Sequence, residues 1–428
     1  MAAERIALKS GIIMVTLTSL EEGFTMEKKY AGDPLDIIHT VGLETVRPVV
    51  RVALTFAKPL ALARLKQAVA AVVEVVPELG CRYVLADNSY VPVAGEIVVT
   101  DVAEPDVDAA AWDLTKAPQL RIYWQSPTAL IVYVSHVFSD GAGAKALLAL
   151  LAQAYREKTL AGETNSTDSA WLQALVAKHQ AGQSGSDHPA KELLLPQLAD
   201  HKNQTYRVGR LSLSQAGTSQ LLKATHLAGV TVNDVVMSAF GRAVQRFTDV
   251  ETIALPCPTD MRKFAPDTQR RIANFTSRYN FAVEAPMTMP FAALVRAVHT
   301  AMAANKAKRQ CFDSIQDLLM QVQDKPIAEL QKIVAANYHM RAISYTNFGV
   351  LTTEQLDFGV PLEEVVMTGG FRRAPSFQTA MATYDGRLTM AFNMIGSDAE
   401  YRFGMGLLAM QHDLIRDFTL GVMQAAQA

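Results

Sequence analysis

The stretch that most constrains this chain runs from Ala129 to Glu157. Ala129 to Val134 reads A-L-I-V-Y-V, an unbroken apolar run rich in β-branched and aromatic residues, with Pro127 and Thr128 before it. Such a run predicts a buried strand. Ser135-His136-Val137-Phe138-Ser139-Asp140-Gly141 follows, and Ala144 to Tyr155 is then composed of strong helix formers. Gly141 and Gly143 are expected to let the chain turn sharply between the two elements. His136 therefore falls where a core strand ends and a helix begins, a place where a rigid scaffold presents side chains to a cleft. Read alone, Asp140 also suits the N-cap of that helix, and His136 also suits a satisfied core histidine.

The context of the motif comes from the rest of the chain. Its 428 residues exceed one ordinary core and fit two domains or two halves of one enzyme. Half of the residues are hydrophobic and the formal net charge is −2, so a large interior can form and no basic excess points to nucleic acid. Cys81, Cys257 and Cys311 are far apart and odd in number, which argues for a reducing compartment and against a disulfide framework or a zinc site. No run reaches the length of a membrane span. Gly11 to Leu20 lacks a small-residue cleavage site and is followed by Glu21-Glu22, so it reads poorly as a secretory signal and the expected location is the cytosol. Residues 1–25 are set apart as an N-terminal extension, because Glu21 to Met26 can be encoded by a purine-rich run just upstream of a start codon. The mass of the natural protein tests this: a mass that includes residues 1–25 excludes a start at Met26.

Taken in order, Val46 to Ala57 reads as a strand and Pro59 to Val76 as an amphipathic helix with Pro59 in its first turn. A hairpin is expected around Asp87-Asn88, and a further strand over Leu120 to Trp124. Between Leu160 and Asn203 the composition shifts to Gly, Ser, Thr, Gln and Asp, which marks a linker around a short helix at Trp171 to His179. The halves are therefore drawn as 26–195 and 196–428. In the second half, Tyr206 to Leu213 reads as a strand and Ser214 to Leu227 as a helix, and Asp234 is expected to open a helix over Val235 to Phe247. Ile253 to Pro256 precedes Pro258-Thr259-Asp260-Met261-Arg262, Phe291 to Lys308 is a long helix, and Ala342 to Gly349 runs as a strand into a polar turn. Asp385-Gly386 closes a hairpin, and a terminal helix is expected over Tyr401 to Gln424.

Five landmarks in order carry a resemblance: His136-x-x-x-Asp140-Gly141, then T-V-N-D-V-V opening a helix, then P-T-D-M-R, then a strand ending in T-N-F-G, then the late strand Y-D-G-R-L-T-M. Together they resemble the chloramphenicol-acetyltransferase-like acyltransferase superfamily, which takes in condensation domains, alcohol acetyltransferases, wax ester synthases, polyketide-associated acyltransferases and plant BAHD enzymes. The resemblance spans residue 30 to the end. It implies an α+β fold of two similar lobes of mixed sheet covered by helices, with a tunnel between them and His136 at its middle.

Moving an acyl group from a thioester to a hydroxyl or amine needs a base that takes the acceptor proton, and imidazole titrates near neutrality. The resemblance gives that role to His136. It gives Asp140 a structural role, paired with an arginine: Arg262 occupies the matching position, with Arg278 as a substitute. A donor for the oxyanion is also needed. Asn347, Thr346 and Ser344 are the candidates, and Asn347 equally suits a simple turn. The donor implied is a coenzyme A thioester, used as substrate rather than held as a cofactor. Peptide-forming condensation domains carry two adjacent histidines, whereas Ser135 precedes His136 here, and this departure favours free acyl-CoA over a carrier protein. The plant enzymes' D-F-G-W-G is matched only in part, by Asp357-Phe358-Gly359-Val360-Pro361.

Lys306, Lys308 and Arg309 suit either coenzyme A phosphates or a solvated helix end. No metal-ligand spacing and no phosphate-binding glycine loop is found. The leading expectation is a monomeric acyltransferase. A stand-alone condensation enzyme fed by an acyl carrier protein and a non-catalytic binding protein of the same fold are the alternatives.

Overall fold

A computed structural model of the chain describes residues 28–43, 46–94, 97, 99–179, 191–199, 205–338 and 340–427. The extension 1–25 and the histidines at 188, 201 and 339 lie outside the described residues.

The apolar run forms the strand Ala129–Ser135 at the centre of a five-stranded sheet. Side chains alternate across it: Leu130, Val132 and Val134 enter one core, and Ile131 and Tyr133 enter another. Both faces are thus covered, which is why no polar residue interrupts the run. Its neighbours are Val49–Phe56 and Leu120–Ser126, both antiparallel to it. The helix Gly141–Glu157 lies over this sheet together with Leu62–Val75. The latter begins three residues after Pro59, which sits in the approach to the helix rather than in its first turn.

A six-stranded sheet forms the second layer, built on Ile343–Leu351, Phe377–Tyr384 and Arg387–Gly396, with Thr205–Ser212 paired to the last of these. The Asp385-Gly386 turn joins two of the strands with both residues at positive φ, 46° and 67°, the left-handed pair that a two-residue hairpin requires. Val232–Gln245 and Asp398–Ala425 cover this sheet. A two-stranded ribbon, Thr252–Asp260 with Thr276–Glu284, completes the half.

The two halves exchange segments. Leu362–Thr368, far along the chain, pairs with Val49–Phe56 and so extends the first sheet. In return Val46–Arg47 pairs with Phe371–Arg373 of the second, and the short helix Pro34–Thr40 buries Leu35, Ile37 and Ile38 in the second core. These crossings hold the sheets at a fixed separation. The cavity described below lies between them.

Candidate active site

The chain leaves the central strand at Ser135, and the His136 amide donates to the Pro48 carbonyl at 2.7 Å, which fixes the loop against the neighbouring strand. Asp140 then caps Gly141–Glu157, accepting from the Gly143 amide at 2.8 Å. Capping does not exhaust its carboxylate. The other oxygen accepts from the Phe275 amide at 2.7 Å and from Arg262 Nη1 at 3.0 Å. Arg262 also holds Asp260 at 2.8 Å and donates to the Arg271 and Ala273 carbonyls at 2.9 and 2.7 Å. Burial would raise the Asp140 carboxyl, but Arg262 and the two amides outweigh it and hold the group below the ordinary carboxylate range. Arg278, the substitute partner, is elsewhere: its guanidinium lies over the Tyr338 ring at 3.6 Å.

Gly141 and Gly143 are ordinary helical residues, and neither is among the glycines with positive φ. Their requirement is space, not a turn. A Cβ on Gly141 would meet the Phe348 ring at 2.5 Å, and one on Gly143 would meet the Ala273 carbonyl oxygen at 2.9 Å. Gly143→Ala is therefore expected to lower stability by about 1–3 kcal/mol through overpacking, although alanine is the better helix former by about 1 kcal/mol. Denaturant unfolding measures this, and a stabilised variant would contradict it.

His136 lines a cavity of about 250 Å³ between the two sheets, together with Asp140, Gly141, Ser344, Thr346 and Asn347. Arg262 stands behind it and does not line it. Nδ1 of His136 is sealed from solvent without a hydrogen bond of standard geometry; its own carbonyl and the Asn274 side chain are the polar groups that favour its protonated form. Burial outweighs them and the Asp140 charge, so the imidazole titrates below its ordinary value and is neutral at pH 7.

Two residues that sequence reasoning left out complete the setting. His39, on Pro34–Thr40, stacks on His136 with ring centroids 4.1 Å apart and planes 27° from parallel. Burial, and secondarily His136, push its titration well below the ordinary range, so both stacked rings stay neutral. Asn274 donates to the His136 and Val137 carbonyls at 3.0 and 2.5 Å and to Asp36 at 3.1 Å. No sequence signal marks either one: His39 stands alone in D-I-I-H-T, and Asn274 acts on a loop 138 positions away.

Asp36 and its neighbour Asp33 form the capping box of Pro34–Thr40. Both are buried, and burial raises both, Asp33 to about 7 and Asp36 well above the ordinary range. The native state therefore holds protons that the unfolded chain gives up near pH 4. The stability this contributes is present below that pH and is lost as the pH rises toward 7. Asp33→Asn keeps an acceptor for the Leu35 amide, 2.9 Å away, and removes the titration. Its melting temperature relative to the native protein is expected to be higher at pH 8 than at pH 5; a difference independent of pH would contradict this.

Of the oxyanion candidates, Asn347 is engaged at both ends of its amide. It donates to Asn233 Oδ1 at 2.9 Å and accepts from the Gly349 amide at 2.7 Å, shaping a turn in which Gly349 has φ of 73°. Ser344 Oγ is buried and makes no hydrogen bond. Thr346 is half-buried at the cavity wall. Lys306, Lys308 and Arg309 are exposed and outside the cavity. Asp357 is on the surface, paired with Arg156 at 2.7 Å. Cys81, Cys257 and Cys311 are free and buried, and burial raises all three thiols, which makes them poor nucleophiles. Among the described residues, no cluster of His, Cys, Asp or Glu could hold a metal, and no helix is long and apolar enough to cross a membrane.

The profile of the condensation domain matches residues 99–359, most of the chain. The chain belongs to the condensation-domain family. Condensation domains are acyl- and peptidyl-transferring enzymes, and the two-layered α+β fold with curled mixed sheets is theirs. No curated protein sequence matches the chain significantly. Among solved structures, polyketide synthase associated protein 5 from Mycobacterium tuberculosis aligns with a TM-score of 0.65 at 16% identity, covering 91% of this chain and 97% of that one. The epimerization domain from the third module of tyrocidine synthetase B aligns at 0.62 and 14% identity, covering 95% and 99%. The first condensation domain of the calcium-dependent antibiotic synthetase aligns at 0.59 and 15%, covering 92% and 95%. At such identities the likeness is one of fold.

Proposed function

We propose that this condensation-family protein transfers an acyl group from an acyl-CoA thioester to a hydroxyl or amine acceptor, with His136 as general base. The observation that carries the reading is the position of a neutral, buried imidazole on the wall of the inter-sheet cavity, held there by the Asp140–Arg262 pair and the Asn274 bonds. His136 takes the acceptor proton as the acceptor oxygen or nitrogen bonds to the thioester carbon. The oxyanion so formed lies near Ser344, Thr346 and Asn347 at the same wall. When the intermediate collapses, the thiolate leaves and takes the proton back from the imidazolium, so the base is restored and no acyl-enzyme is needed.

Both halves of the cavity come from one chain, which suits a monomer, and three free thiols suit a cytosolic setting. A carrier-protein donor is the second reading, favoured by the likeness to domains of non-ribosomal peptide synthetases. The deciding experiment is acceptor-dependent thiol release from acyl-CoAs, run beside the same acyl groups on a pantetheinylated carrier protein. Release from the CoA series is the expected result. Release from the carrier series alone overturns the CoA assignment, and release from neither overturns catalysis.

A further inference from the structure

Acyl transfer needs a donor for the oxyanion, and the candidates that the sequence suggests supply it poorly. Asn347 has its amide committed at both ends, to Asn233 and to the Gly349 amide, and Ser344 Oγ is sealed from solvent. Thr346 is left, a hydroxyl at the wall. Beside His136, however, a second imidazole lines the same cavity: His39, whose ring centroid lies 4.1 Å from that of His136.

The two rings present different atoms. In His136 it is Nδ1 that is sealed, turned toward its own carbonyl, so Nε2 is the nitrogen that meets the cavity. In His39 the order is reversed. Nε2 is sealed with no hydrogen-bond partner, and Nδ1 is the nitrogen left for the cavity. A buried N–H without a partner is rarer in proteins than a buried acceptor without one, which places the His39 proton on Nδ1. The carbonyl beside His136 Nδ1 likewise calls for a proton there and leaves the lone pair on Nε2. One ring therefore offers the cavity an acceptor, and its neighbour offers a donor.

The fold holds His39 in this place. It sits in the last turn of Pro34–Thr40, whose Leu35, Ile37 and Ile38 are core residues. Asp36 of the same helix accepts from the Tyr90 hydroxyl at 2.8 Å and from Asn274 at 3.1 Å, the side chain that also donates to the His136 carbonyl at 3.0 Å. Helix, stack and histidine loop thus form one bonded unit, and a donor fixed before the reaction is what stabilises developing charge best. Burial keeps His39 neutral. A donor beside a base that becomes imidazolium has to be neutral, because a second cation in the stack would oppose that step.

We infer that His39 is a second catalytic residue, whose Nδ1–H donates a hydrogen bond to the oxyanion. The inference rests on the acyl-transfer reading above and adds a group to it. As the acceptor oxygen or nitrogen bonds to the thioester carbon, its proton passes to His136 Nε2 and the carbonyl π pair moves onto oxygen, where the His39 N–H meets it. The pair returns as the C–S bond breaks, and the thiolate takes the proton from His136. His39 keeps its own proton throughout. Two heteroatoms on one tetrahedral carbon, each about 2.8 Å from a ring nitrogen, fit a pair of rings stacked at this separation.

Side-chain shape separates this role from packing. His39→Phe keeps a ring on His136 and removes the donor, whereas His39→Asn removes the ring and puts an amide N–H where Nδ1 stood. With whichever thioester series releases thiol, His39→Phe is expected to lower kcat by about 10²–10³-fold with KM little changed, and His39→Asn to be about ten-fold or more faster than His39→Phe. A packing role reverses the order. Binding gives a reading without turnover. S-trifluoroacetonyl pantetheine, whose ketone hydrates to a tetrahedral diol, and S-acetonyl pantetheine, which stays a ketone, both carry the arm common to coenzyme A and carrier-protein donors. In calorimetric titration of the full chain, the native protein is expected to prefer the first by about ten-fold or more, and His39→Phe to lose that preference. A native protein that releases no thiol defeats the transfer reading, and the binding comparison then decides the inference alone. His39→Leu replaces His39→Phe if the latter does not melt cooperatively. The inference is overturned by a native-like kcat in the variant without the donor, by His39→Asn no faster than that variant, or by equal binding of the two ligands to the native protein.

Discussion

Substituting His136 with alanine is expected to lower kcat for acyl transfer by about 10²–10⁴-fold, the usual contribution of a positioned general base, while the protein stays folded. The two halves of that expectation have separate grounds. The loop is held by main-chain and neighbouring groups: the His136 amide on Pro48, the Asn274 bonds to two carbonyls, and Asp140 on two amides. None of these uses the imidazole, whose ring contact is the stack on His39. Removing the ring therefore takes away chemistry and leaves the scaffold. The pH profile gives an independent reading. Burial holds the imidazole below its ordinary pKa of 6.5, and the base must be neutral to act. The acid limb of kcat/KM is thus expected below pH 6.5, with the rate maintained from neutrality down to that point. His39→Ala opens one face of the ring to water and should move the limb upward. A variant at position 136 that keeps kcat within ten-fold, or an acid limb above 6.5, would remove the base assignment.

Much of this arrangement is legible in the sequence because it is local. The central strand shows itself as an unbroken apolar run, Asp140 has the side chain of an N-cap, and Asp385-Gly386 announces its hairpin. Boundaries were less legible. Thr231, not Asp234, caps Val232–Gln245 in a Thr-x-x-Asp box, and the terminal helix starts at Asp398 behind Ser397, whose box partner is Glu400. In both helices the box places the start a turn before the first apolar residues that suggested it.

What the sequence hid is what the chain assembles from distant parts. Leu362–Thr368 joins the first sheet although it lies in the second half, and no local pattern encodes a pairing with Val49–Phe56. Thr276–Glu284 was missed because its residues alternate between polar and apolar only weakly, although it carries Arg278. Arg278, Arg341 and Arg372, which all line the cavity, come from separate strands and turns, so their meeting depends wholly on the fold. Gly141 and Gly143 teach the same lesson at the scale of one atom. Sequence suggests conformational freedom, whereas the structure shows two places where Phe348 and Ala273 leave no room for a Cβ.

The pair that ties the motif to the second half should be the most sensitive structural point of the site. Arg262→Met is expected to cost about 3–5 kcal/mol at pH 7, the usual penalty for breaking a buried ion pair from one side. Asp140 has 3% of its side chain exposed and Arg262 16%, so water cannot stand in for the lost partner. The two members are not equivalent. Without Asp140, Arg262 still has Asp260 and two carbonyls; without Arg262, Asp140 keeps its amides but loses the cation that faces it. The sign of the pH dependence follows. In the native protein the depressed Asp140 pKa contributes stability above the unfolded value of 3.8, and that contribution is lost as the pH falls through the folded value. In Arg262→Met, burial dominates and the Asp140 pKa rises, so the deficit against the native protein should shrink on acidification as the carboxyl takes up a proton. Asp140→Ala should instead lose its cap and leave the Gly143 and Phe275 amides unpaired at every pH, with a deficit that acid does not repair. Chemical denaturation of both variants between pH 4.5 and 8 separates the cases. A deficit in Arg262→Met that does not change over this range would mean that the arginine acts through its carbonyl contacts and not through its charge.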